Sequence, residues 1–240
     1  LQPKILLLQA RNADDPMAAH EHKCFVGQTG LPEGKVVVHD LCAGPPSLTK
    51  VRGHDAVMVG GSGDYYVSDR NLPRFEAFLD LLREIVAARH PTFASCFGYQ
   101  SLVAALGGAV ARDVSNTEVG TYVLTLTTDG RADELFGELP DRFNAQLGRK
   151  DRAVRLPEGI PNLASSQACP FQALRVPGAS IWATQFHPEL DRATNADRYL
   201  HYLEGYAAHM SDEDRANALD RFRDSPETSG LLRRFVELIS

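Results

Sequence analysis

Pro91-Thr92-Phe93-Ala94-Ser95-Cys96-Phe97-Gly98-Tyr99-Gln100 runs on into Ser101-Leu102-Val103-Ala104-Ala105-Leu106-Gly107-Gly108. Thr92–Ser95 has the length of a buried strand, and Gly98–Leu106 carries a helical pattern. Cys96 stands between them, with a glycine two residues on. This order describes a tight elbow at the carboxyl edge of an open α/β sheet, where such folds bind ligands. A cysteine gains from that position. A helix N-terminus favours a thiolate through its dipole and its unpaired N–H groups. The N–H of the next residue, Phe97, can face a developing oxyanion. Gly98 lets the backbone pass, and Ser95 is small on the other side. The competing reading is a cysteine buried at the end of a core strand, the ordinary fate of a free thiol. Cys24, Cys42 and Cys169 keep that reading.

Outward from the elbow, Ile5–Gln9, Val36–Asp40 and Ala56–Val59 read as further buried strands. Asp14–Cys24 opens a helix, with Asp15-Pro16 as N-cap and first turn. Pro73–Arg89 is helical, because Phe75, Phe78, Leu79, Leu82, Ile85 and Val86 recur on one face. Strands at Thr121–Thr127, Ala153–Leu156, Asn162–Ser165, Ala173–Val176 and Ile181–Gln185 then alternate with turns such as Asp129-Gly130 and Pro177-Gly178. From Arg192 the pattern is helical again in two or three segments, with Ser211-Asp212-Glu213-Asp214 marking a helix start. The expectation is an α/β fold: an open, mostly parallel, flavodoxin-like sheet flanked by helices. Its second half is partly antiparallel and its C-terminal tail helical. Residues 1–190 form the domain, and 191–240 a helical extension packed on it.

The composition sets limits. With 240 residues, 43% of them hydrophobic, a core needs no staples. A net charge of −6 without a basic tract argues against a nucleic-acid or anionic-membrane partner. The four cysteines form no C-x-x-C pair and no zinc spacing, so a reducing cytoplasm is expected. No apolar run reaches membrane-spanning length, and Leu1–Leu8 lacks the features of a signal peptide. His20 and His22 form only a weak metal pair on a helix surface.

Gln185-Phe186-His187-Pro188-Glu189 offers a histidine and a carboxylate two positions apart. If the strand at Ile181–Gln185 extends to His187, the two side chains converge on one face. His187 then takes the thiol proton and returns it to a leaving amine. Glu189 holds the imidazole in one tautomer. Alone, the pair reads more readily as a strand-end histidine beside a solvated glutamate. Gly60-Gly61-Ser62-Gly63-Asp64 follows another strand; its N–H groups can receive an oxyanion, although such runs are usually plain tight turns. It lacks the lysine of a phosphate loop.

Taken in order, Val57-Met58-Val59-Gly60-Gly61-Ser62-Gly63, Ser95–Gln100 and Gln185–Glu189 resemble the class I, triad-type glutamine amidotransferase family, and in particular the GMP-synthase-type glutaminase domain. The resemblance runs from about Ile5 to Leu190. It implies a cysteine that attacks the γ-carboxamide of glutamine, releases ammonia and leaves a thioester for hydrolysis. Carried over by position, Cys96 is the nucleophile, His187 the base and Glu189 its orienter. The N–H groups of Gly61 and Phe97 form the oxyanion hole, and Gly63 and Gln100 hold the substrate. Ser165-Ser166-Gln167-Ala168-Cys169-Pro170 corresponds to the far side of the glutamine pocket. No cofactor and no metal are implied. The partners implied are glutamine or a γ-glutamyl amide, and a synthetase in trans.

Three departures stand out. Tyr99 replaces the elbow's usual histidine. The loop Asn144–Asp151 lacks a histidine the family carries, which bears on synthetase docking. No ATP-binding domain is attached, so the domain is expected to be freestanding. Two other functions compete with the glutaminase. One is a γ-glutamyl hydrolase or peptidase acting on other γ-glutamyl amides. The other is a catalytically idle binding or regulatory domain, which an intact Cys96, His187 and Glu189 disfavours.

Overall fold

Buried β-strands of alternating parity build the centre of the molecule. In the computed structural model, which describes residues 2–203, 211, 213 and 217–240, the first strand is β1 (Ile5–Ala10). Ile5 and Leu7 face one side of the sheet, and Leu6 and Leu8 the other. β2 (Val36–Asp40), β3 (Ala56–Ser62), β4 (Thr92–Ser95) and β11 (Ile181–Thr184) join β1 in a parallel half. β10 (Ala173–Arg175), β9 (Asn162–Ser165), β6 (Glu118–Leu126) and β7 (Arg142–Arg149) continue it antiparallel. The order across the nine strands is β2-β1-β3-β4-β11-β10-β9-β6-β7. β5 (Ala109–Arg112) and β8 (Asp151–Arg155) form a separate antiparallel pair.

Helices cover both faces. α3 (Phe75–Ala87) and α4 (Phe97–Ala105) pack on the Leu6/Leu8 side, where Phe78 and Phe97 stack with centroids 6.2 Å apart. α1 (Met17–Thr29) and α7 (Leu231–Leu238) cover the other face; Phe235 meets Phe93 and Trp182 there, edge to face. Two shorter helices, α2 (Leu48–Arg52) and α5 (Thr128–Ala132), sit in connections. α6 (Arg192–His201) starts on a capping box between Asp191 and Thr194.

The expected architecture holds, and some local readings do not. The Asn144–Asp151 segment is not a loop: Phe143, Ala145 and Leu147 are buried at every second position, and the chain runs through β7 into β8. Asp129-Gly130 lies in α5, where Thr127 Oγ1 accepts from the Gly130 N–H at 3.0 Å. β11 stops at Thr184, so His187 and Glu189 lie beyond the strand. The helix start expected at Ser211–Asp214 falls partly outside the described residues. The tail is stitched to the antiparallel half: Gln146 Nε2 donates to Arg223 O at 2.9 Å, and Asn144 Nδ2 to Asp224 O at 3.3 Å.

Candidate functional site

β3, β4 and β11 are adjacent and parallel, so their carboxyl ends open on one edge of the sheet. Gly60 and Gly61, expected in a turn after a strand ending at Val59, belong to the last residues of β3, and Gly63 lies just past its end; Cys96 follows β4, and the His187–Glu189 segment follows β11. Cys96 has φ 50° and ψ −102°, a conformation that costs a non-glycine residue about 1–3 kcal/mol and occurs where a turn must present a side chain. Its N–H donates to Thr184 O at 2.8 Å, which ties the elbow to β11. Gly98 has a packing reason: a Cβ there would meet Val59 Cβ and O at 2.8 Å.

His187 Nδ1 lies 2.6 Å from Glu189 Oε1, and both side chains are buried. A bond of that length to a carboxylate places the proton on Nδ1 and leaves Nε2 as the working nitrogen. Burial pushes the His187 pKa down. The Glu189 carboxylate, and then the charge and hydrogen bond of Cys96, outweigh burial and hold it up at about 9. Glu189 is affected in the opposite sense. Burial raises its pKa, but His187 and then Arg198 prevail and keep it below the usual carboxylate range. Cys96 Sγ also lies 3.9 Å from Gly148 O. The three groups expected together are thus side by side, on a loop and an elbow rather than on a strand.

The Gly61 N–H, expected to face an oxyanion, donates to Glu21 Oε1 at 3.1 Å. Glu21 is fully buried and also accepts from Arg11 Nη2 at 2.9 Å and Gln9 Nε2 at 3.0 Å. Gly61 also provides room, since a Cβ there would stand 2.9 Å from His187 Cε1. Phe97 opens α4, where helix N–H groups lack intrahelical partners.

A narrow cleft beside Cys96 is lined by Gly63, Tyr66, Gln100, Gly148, Arg149 and Asp151, among others, and holds about 30 Å³, room for roughly two waters. Gln100 Nε2 donates to Asp151 O at 2.9 Å and Gln185 Oε1 at 3.0 Å. Both amide hydrogens are therefore used, which leaves its carbonyl oxygen to offer a ligand. Gly63 lies under the Tyr202 hydroxyl. Ser165–Ala168 line a separate depression with Asn116, Glu118 and Tyr122 rather than the Cys96 cleft. His22 Nε2 lies 2.8 Å from Val36 O, and His20 packs against Cys24.

The family model of the class-I glutamine amidotransferases matches residues 45–203. The chain belongs to that family. It is 35% identical over 103 residues to a glutamine-hydrolyzing GMP synthase subunit of Methanocaldococcus jannaschii, a match covering 43% of this chain and 53% of that one. Over 136 residues it is 33% identical to the glutamine-hydrolyzing GMP synthase of Streptococcus mutans, covering 56% of this chain and 24% of the relative. The chain thus spans about half of the archaeal relative and about a quarter of the bacterial enzyme. In fold it is similar to a glutamine amidotransferase from Thermotoga maritima, with a TM-score of 0.71 at 21% identity over 98% of this chain and 97% of that one. A glutamine amidotransferase from Methylobacillus flagellatus gives 0.73 at 21% identity over 100% and 92%.

The departures from the family pattern acquire physical content. Tyr99 is fully buried, and its hydroxyl donates to Phe171 O at 3.0 Å, fixing the chain after β9. Arg149, in the segment without the family histidine, is buried against Glu118, which also accepts from Ser166 Oγ and Gln172 Nε2. Sequence reasoning missed Glu21 and Arg198. Each sits at helical spacing among inward residues: Glu21 with Phe25 and Thr29, and Arg198 with Asn195 and Tyr199. A charge at an inward position was the available signal. Among the described residues, no helix is long and apolar enough to cross a membrane.

Proposed function

We propose that this amidotransferase hydrolyses the γ-carboxamide of glutamine through a thioester on Cys96, giving glutamate and ammonia. The observation that carries the reading is the convergence of Cys96, His187 and Glu189 on neighbouring strand ends, with the imidazole bonded to the carboxylate at 2.6 Å. Cys96 Sγ, deprotonated toward His187, attacks the carboxamide carbon. The Phe97 N–H faces the resulting oxyanion. The intermediate collapses with cleavage of the C–N bond, and imidazolium Nε2–H protonates the departing ammonia. Water, deprotonated by His187, then attacks the thioester carbon; glutamate leaves and the Cys96 thiol is restored. Gln100 Oε1 and the Gly63 backbone contact the amino-acid end of the substrate.

Glutamine is preferred over other γ-glutamyl amides because the similar GMP synthases are glutamine-hydrolyzing. GMP synthase relatives support a synthetase in trans as the receiver of ammonia. Four free cysteines fit a cytoplasmic setting. The test is a panel of glutamine and γ-glutamyl dipeptides, read by released amine, with Cys96→Ser beside the wild type. Glutamine turnover that disappears in Cys96→Ser supports the proposal. Retained turnover removes Cys96 from it, and faster cleavage of dipeptides than of glutamine replaces the glutaminase with a γ-glutamyl peptidase.

A further inference from the structure

Behind the site, the charged side chains of Glu189, Arg198 and Glu21, with Gly61, link in a chain that begins and ends at the His187 imidazole. Arg198 Nη1 reaches from α6 to within 3.6 Å of Glu189 Oε1 and 3.4 Å of His187 Nδ1. Nδ1 donates to Glu189 and has no lone pair left, so the attraction of the guanidinium goes to the carboxylate. Arg198 Nη2 lies 3.9 Å from Glu21 Oε1. Glu21 in turn holds Arg11 and the Gly61 N–H, and Gly61 lies against His187 Cε1. Arg198 is 7% exposed. Among the described residues its Nε and Nη2, and Glu189 Oε2, are buried without a hydrogen-bond partner. Leaving donors of a buried cation unpaired is costly, so an arginine kept here needs a reason other than fold stability.

We propose that Arg198 is a positioning residue of the Cys96 site: it holds Glu189 against His187 and, through Glu21, sets the distance of Gly61, near the end of β3, from the imidazole. The tail helix thereby supplies part of the working site. The role rests on the reading of Cys96 and His187 as the reacting pair. Among the described residues, titratable groups from several elements interact with the guanidinium or lie beside it. They are His20, Glu21 and Cys24 from α1, Arg11 after β1, His187 and Glu189 after β11, and Tyr202 following α6. Glu21 and Glu189 are the carboxylates among them, and Arg198 is the cation between the two.

The test uses Cys96 itself as the probe and needs no substrate. The rate of Cys96 alkylation by iodoacetamide, located by peptide mass analysis, is followed from pH 5 to pH 10 in wild type, Arg198→Gln, Arg198→Lys and Glu21→Gln. Removing the cation makes every positive form nearby easier to keep and every negative form harder. Both limbs of the Cys96–His187 profile should therefore move to higher pH in Arg198→Gln, by about one unit. Arg198→Lys keeps the charge and should restore most of the profile. Glu21→Gln removes an opposing charge and should move the limbs the other way. A Gln variant with cooperative melting and an unshifted profile overturns the proposal, as does a Lys variant as shifted as Gln. A wild type without glutaminase activity but with these shifts would reject the proposed substrate and keep the positioning role.

Discussion

Replacing Gly61 by alanine tests the site geometry most directly. The new methyl would stand 2.9 Å from His187 Cε1, where ordinary contact begins at 3.4 Å, so the gap must open by about half an ångström. The imidazole cannot move away freely, because Nδ1 is already 2.6 Å from Glu189 and the His187 N–H is tied to Gln146 O at 2.8 Å. Nor is the strain one of backbone conformation, since Gly61 is not among the glycines with positive φ. A shift of 1 Å in a reacting group costs about 10²-fold, so half of that should cost about tenfold, or roughly 1.4 kcal/mol of barrier. The assay is the iodoacetamide rate at Cys96 at neutral pH, with thermal unfolding as the fold control. Gly27→Ala serves as the matched control, because a methyl there meets nothing within 4 Å. A Gly61→Ala protein that folds and alkylates at the wild-type rate would refute the claim that the imidazole's position governs the thiol.

Two further outcomes concern stability. Phe235 is fully buried between Phe93 and Trp182, at centroid distances of 5.7 and 6.0 Å, so Phe235→Ala should cost about 3–5 kcal/mol in urea unfolding; a loss below about 1 kcal/mol would mean that α7 is an appendage rather than part of the core. The second outcome follows from His187, whose pKa rises on folding from 6.5 to about 9. The stabilisation this confers is complete below pH 6.5 and is lost as pH rises through about 9; its full size is about 3 kcal/mol. The stability gap between wild type and Glu189→Gln, which removes the first group that raises this pKa, should therefore be widest near pH 6 and shrink toward pH 10. A gap that grows with pH contradicts it.

The parts of the fold carried by strong periodicity were legible in the sequence. α3 shows its buried face at Phe75, Phe78, Leu79, Leu82 and Ile85, and Thr92–Ser95 is a strand to the residue. β7 was hidden because its alternation is diluted: Asn144 and Gln146 stand between the apolar residues and Arg149 ends the strand, so a polar run masks a period of two. Cys96 was legible because the elbow is local. Glu21 was not, because its meaning lies in Gly61 and Arg198, forty and more than a hundred and seventy residues away, and no local pattern encodes such a meeting. The bond of the Gly61 N–H to Glu21 was hidden for the same reason. A glycine run announces available N–H groups, but which acceptor takes them depends on a helix forty residues earlier in the chain.

The loop placement of His187 and Glu189 also explains how a cysteine site can depend on the tail. On an extended strand, residues two apart are roughly 6–7 Å apart along the chain, and their side chains stand side by side. Here the chain leaves the sheet at Thr184 and folds back on itself: the Leu190 N–H donates to His187 O at 3.2 Å, and Pro188 brings no donor of its own. That turn closes the Nδ1–Oε1 distance to 2.6 Å, and the capping box at Asp191 starts α6 directly after it. A helix launched from that point travels back over the edge it has just left, which brings Arg198 to Glu189 and the Tyr202 hydroxyl over Gly63. The turn that joins base to carboxylate is therefore also the one that sets α6 against the glycine run, so a variant that loosens the Asp191 cap, such as Asp191→Ala, should slow Cys96 alkylation although it touches none of the reacting groups. An unchanged rate in Asp191→Ala, with α6 shown by hydrogen exchange to have lost protection, would separate the two and leave the tail without a part in the chemistry.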